Sequence, residues 1–105
     1  MANGRDTSEI KRIRNEILVA LKVLYPAALQ AQRLLRSLLV LFPTIEFDHF
    51  RRDLHYLSEK GYIERVIPER EGETDLTPWR QRWFRLTPRG VELADHCIKD
   101  PALEE

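Results

Sequence analysis

The sequence predicts an α+β fold, mainly α: three helices, a two-stranded antiparallel hairpin and a short C-terminal helix. Three observations carry this. Apolar residues recur at helical spacing in three segments between residues 9 and 60. After Gly61 the period changes to two, with β-branched and aromatic residues. Finally, Thr87-Pro88 opens a last helical pattern, with a hydroxyl to cap it and a proline suited to the first helical position.

The first helix covers residues 9–24, where Ile10, Ile13, Ile17, Leu21 and Leu24 alternate with Lys11, Arg12, Arg14, Glu16 and Lys22. Asp6 or Thr7 caps it, and Pro26 ends it by disfavouring helical geometry at Tyr25. The second helix is expected over 27–41, closed by Pro43. Here Leu38, Leu39, Val40, Leu41 and Phe42 are consecutive and span more than a turn. A domain this small does not easily bury them all. Either Leu39 or Val40 touches the first helix or the strands, or a homodimer forms through this helix.

The third helix runs over 45–60, with Phe47, Phe50, Leu54 and Leu57 on one stripe and Gly61 placed as a left-handed cap. Its opposite face centres on Asp48, Arg52, His55 and Glu59, flanked by His49, Arg51 and Tyr56. Strands follow at 62–67 and 79–86, joined by a long polar loop that carries Glu69, Glu71, Glu73 and Asp75. Alternation puts Trp79 and Trp83 on one strand face, opposite Phe84 and Leu86. The two indoles either cover the edge of the core or offer a partner-binding surface. In the last helix Val91, Ala94 and Ile98 face the core.

At 105 residues this is one domain: a flexible N-terminus over 1–8, the folded unit over 9–99 and an acidic C-terminal tail over 100–105. With 43% hydrophobic and 32% charged residues, the chain has material for a core and is not a disordered tail. Lys plus Arg number 17, as do Asp plus Glu, so a histone-like protein or polybasic arm is excluded. The zero sum is uneven along the chain. Residues 1–40 hold seven basic and three acidic groups, whereas residues 90–105 hold one and five.

The single Cys97, the lack of a signal-like start and an apolar run no longer than 38–43 predict a cytoplasmic protein with no membrane partner. No catalysis, cofactor or metal is expected. His49 and His55 are six residues apart, about 120° around a helix, and the adjacent His96 and Cys97 also point apart. Paired cysteines, a glycine-rich phosphate loop and a serine elbow are all missing from the sequence.

Two stretches carry a family likeness. Asp53-Leu54-His55-Tyr56-Leu57-Ser58-Glu59-Lys60-Gly61-Tyr62-Ile63 resembles the end of the third helix and first wing strand of bacterial winged helix-turn-helix regulators. Trp83-Phe84-Arg85-Leu86-Thr87-Pro88-Arg89-Gly90-Val91-Glu92-Leu93 resembles their second wing strand turning into a final helix. The likeness spans about residues 9–99, and the chain is also similar to small winged-helix proteins encoded in Mu-like prophages.

That resemblance implies binding of double-stranded DNA in transcription regulation, with the third helix in the major groove and the hairpin on the flanking backbone. On it, His49, Arg51, Arg52 and His55 approach bases, while Arg12, Arg80 and Arg82 hold phosphate. The rival reading is a winged-helix module that binds protein rather than DNA, through Trp79 and Trp83. It is motivated by Asp48 and Glu59 on the reading face, by the acidic loop and by the neutral total.

Overall fold

The computed structural model of the chain describes residues 7–67, 77–96, 100, 101 and 103. The order is α1 (Thr7–Leu24), β1 (Leu29–Gln30), α2 (Ala31–Leu41), α3 (Phe47–Glu59), β2 (Ile63–Val66), a 3-10 turn (Trp79–Gln81), β3 (Trp83–Leu86) and α4 (Pro88–Ala94). The fold is α+β and mainly helical, as expected. The sheet, however, has three antiparallel strands rather than two, in the order β1-β3-β2.

The added strand changes the second helix. Leu29 and Gln30 pair with Phe84 and Trp83, and the Ala31 amide donates to the Arg82 carbonyl at 2.8 Å. This pairing holds Gln30 in extended geometry, so α2 begins at Ala31 and not at 27. The second predicted strand also shortens. The Gln81 amide donates to the Pro78 carbonyl and the Arg82 amide to that of Trp79, which winds residues 79–81 into a turn and leaves only Trp83–Leu86 in the sheet.

α1 buries Ile13, Ile17, Leu18 and Leu21; α2 buries Ala31, Leu34, Leu35 and Leu38; α3 buries Phe50, Leu54 and Leu57. Phe84 and Leu86 of β3 close this core from the sheet side, and burying each such side chain contributes about 1.5–3 kcal/mol. In α4 the buried side chain is Leu93, with Val91 and Ala94 half-buried where the sequence placed them inward. The Asp6 cap, Ile98, Cys97 and the acidic loop from Glu69 to Asp75 lie outside the described residues.

The junction between α3 and β2 orients the rest. The Gly61 amide donates to the Ser58 carbonyl and the Tyr62 amide to that of Leu57, both at 3.0 Å, closing a Schellman motif around Gly61 at φ 81. Buried Leu57 and Tyr62 supply the apolar contact of that motif. Thr87 then locks α4 to the same corner: its hydroxyl donates to the Gly61 carbonyl at 2.5 Å and accepts from the Gly90 amide at 3.0 Å. Among the described residues no helix is long and apolar enough to cross a membrane.

Candidate functional site

Because α3 turns Phe50, Leu54 and Leu57 inward, the same helix presents Asp48, Arg51, Arg52, His55 and Glu59 to solvent. One charge goes the other way. Asp53 is fully buried, with Arg14 of α1 donating from Nε to its Oδ1 at 3.0 Å. The Arg14 guanidinium also lies 4.0 Å from the centre of the Tyr56 ring. A carboxylate in the core requires such a cation and fixes the rotation of α3 against α1.

Over the exposed face runs an open groove of about 570 Å³, lined by Arg51, Arg52, His55, Tyr56, Glu59 and Trp79. It joins three hydrogen-bonding cations or bases with one carboxylate and one indole. His55 Nε2 stands 2.9 Å from Glu59 Oε1, an i,i+4 pair that occupies the acid nearest the imidazole. Groups of three or more His, Cys, Asp or Glu able to hold a metal ion are absent among the described residues.

Trp79 is not on a strand face with Trp83. It sits on the 3-10 turn with its ring stacked on Phe84, centroids 5.6 Å apart at 18°. Arg82 lies 4.8 Å over that indole, and its Nε donates to the Thr77 carbonyl at 2.7 Å. Trp79 therefore covers the edge of the core and walls the groove, and Arg82 braces it. Trp83 is half-buried in the central strand, opposite Gln30 on one side and Val66 on the other.

The other residues named from sequence are distributed around this face. Arg80 is exposed, its guanidinium 4.2 Å from the ring centre of Phe47, which puts it beside the first residue of α3. Arg12 is exposed on α1 and lies 5.3 Å over Phe42. His49 is half-buried, 3.9 Å from Glu46. Arg85 forms a cross-strand pair with Glu64 at 2.6 Å, as their register dictates. Arg51, Arg52 and His55 thus share one groove and Arg80 flanks α3.

Sequence reasoning did not find the groove's second wall, because the turn at Trp79 has the composition of a strand. It also left Asp53 unplaced, although an acid inside the stripe Phe50, Leu54, Leu57 is a signal that a buried cation must meet it. At the far end of α3, Asp100 is buried, and Tyr62 donates to its Oδ2 at 2.7 Å. Burial first, then the hydrogen bond to Asp100, raises the Tyr62 phenol above 10.0; burial and the Asp100 charge raise that of Tyr56.

α2 buries one side and exposes its last turn, where Leu39, Val40 and Leu41 are 37%, 81% and 56% accessible. Compared with protein-family models, curated proteins and solved structures, the chain matches none of them.

Proposed function

We propose that the chain is a winged-helix domain that binds double-stranded DNA, with α3 in the major groove and the base of the β2–β3 hairpin against the flanking backbone. The observation that carries this reading is the groove on α3, where Arg51, Arg52 and His55 stand together on an exposed helix face. Asp53 points into the core, where Arg14 pairs it, so the acids on that face are Asp48 and Glu59. Arg side chains there bond guanine O6 and N7 in a bidentate way, and Glu59 is an acceptor for cytosine N4. Arg80, exposed beside the start of α3, takes a phosphate. Arg12 and His49 stay at the margin of this reading, and Arg82 supports it through Trp79.

Three helices followed directly by an antiparallel hairpin, joined at the Gly61 corner, support the family assignment. The strand β1 ties the α1–α2 connection to that hairpin and leaves the order of the other elements intact. In a titration of labelled duplex DNA, Arg52→Ala relaxes base preference by about 1–3 kcal/mol at one position. Arg80→Ala weakens all sequences alike and reduces the salt slope by about 1. Equal affinity of both variants and the wild type would remove the reading.

The exposed Leu39, Val40 and Leu41 favour a second one, a protein-binding module whose first partner is another copy of the chain through α2. Light scattering at micromolar concentration tests it: a dimer supports the module, and a monomer ends the self-association.

A further inference from the structure

The described residues of the C-terminal segment are built into the fold. Leu103 is 4% accessible, and its carbonyl accepts from Asn15 Nδ2 of α1 at 2.5 Å. Asp100, also 4% accessible, accepts from the Tyr62 hydroxyl at 2.7 Å and lies 3.6 Å from Lys60 Nζ. Tyr56 directs its hydroxyl at both Asp100 oxygens at 3.4 Å. Leu103 therefore grips α1, and Asp100 grips the end of α3 with the start of β2.

Tyr56 is the link to the groove. Its ring lines the groove beside Arg52 and His55, the Arg14 guanidinium lies over the ring, and its hydroxyl faces the buried carboxylate. We propose that Asp100 is a positioning residue for the exposed face of α3: the C-terminal segment acts as a strap that fixes the tilt of α3 against α1, and with it the groove. Asp53 and Tyr56 lie on one flank of α3, one held by Arg14 of α1 and the other facing the strap, so the helix is fixed by two grips rather than one. Releasing the strap leaves Arg14 as the only one of these two, and the flank of α3 at Tyr56 loses a support that the Gly61 corner does not replace. In a binding reaction that needs several contacts at once, a shift in the helix weakens them together without deleting any.

This inference rests on the DNA-binding reading, and the experiment separates the two. Duplex affinity is measured against salt for folded wild type, Asp100→Ala, Asp100→Asn and Tyr62→Phe, with Arg80→Ala as the phosphate-contact control. Amide exchange of α3 is recorded alongside. The strap predicts that Asp100→Ala and Tyr62→Phe weaken binding about tenfold with the salt slope unchanged. Exchange over α3 rises in both, while that of α1 and β3 does not. Asp100→Asn, which keeps an oxygen for Tyr62, recovers most of the affinity.

If Asp100→Ala does not fold, Tyr62→Phe and Asp100→Asn carry the same comparison. Strap variants that bind and exchange as wild type overturn the strap and leave DNA binding standing. Variants that lower the salt slope as Arg80→Ala does overturn it too, since the loss would then be that of a phosphate contact and not of the position of α3. A wild type that binds no duplex removes the reading itself. In that case unchanged α3 exchange in the variants overturns the strap as well, and raised exchange confined to α3 supports it as a device of the fold.

Discussion

Single residues decide how closely the elements of this fold approach one another. Gly90 is the clearest instance. It lies in α4, where glycine normally costs about 0.5–1 kcal/mol relative to alanine. Here a Cβ would fall on the Tyr62 carbonyl oxygen and come within 2.9 Å of Leu86 Cγ. The ordinary sign therefore reverses: Gly90→Ala lowers stability by about 1–3 kcal/mol, read by urea denaturation, and a stabilised variant would contradict the packing. Arg14 gives a second case. Removing it leaves the fully buried Asp53 carboxylate without its guanidinium, so Arg14→Ala is expected to cost about 3 kcal/mol in the same assay. The position of Asp53 was open to inspection in the sequence, since it interrupts an apolar stripe; which cation meets it was not, because Arg14 is 39 residues away.

Among the elements, the helices and the Gly61 corner were legible because each has a local cause. Periodicity, a left-handed glycine and the Thr87-Pro88 start act over a few residues, and they place the helices and the corner, although α2 starts at Ala31 rather than at 27. β1 was not legible. Two residues have no period, and Leu29 and Gln30 are extended only because β3 lies beside them. The 3-10 turn failed for the opposite reason: Trp79-Arg80-Gln81-Arg82 alternates like a strand, yet stacking of Trp79 on Phe84 curls it back over the core. The strap was missed because Asp100 and Leu103 stand in a segment whose acidity reads as solvated. The two phenols that face Asp100, half-buried Tyr56 and buried Tyr62, make a pH test of this element. Below pH 10 Tyr56 and Tyr62 hold their protons folded and unfolded, so their contribution is complete. Above pH 10 the unfolded chain loses those protons first, and stability falls as the pH rises towards the raised folded values. Unfolding free energy is expected to decline there, and Tyr62→Phe to flatten the decline; an unchanged profile in that variant would show that Tyr62 is not the group responsible.

At the level of the whole molecule, the equal number of acids and bases conceals how they are used. Asp53 is paired inside, Glu64 is tied to Arg85, and Lys22 is bonded to Asp95 at the end of α4. Of the arginine run at 80–89, Arg82, Arg85 and Arg89 lie against Trp79, Glu64 and Tyr62, while Arg80 remains beside α3. The groove on α3 is where exposed cations gather next to hydrogen-bonding groups, and that concentration, not net charge, is what the DNA-binding account relies on. The most direct measurement is a titration of labelled random-sequence duplex, repeated over a salt series, with wild type and the Arg80→Ala variant. Wild type is expected to associate at low salt with an affinity that falls linearly in log–log form as salt rises, and Arg80→Ala to bind more weakly with a shallower slope. Absence of wild-type binding at low salt, or an Arg80→Ala variant with the wild-type affinity and slope, would contradict DNA binding.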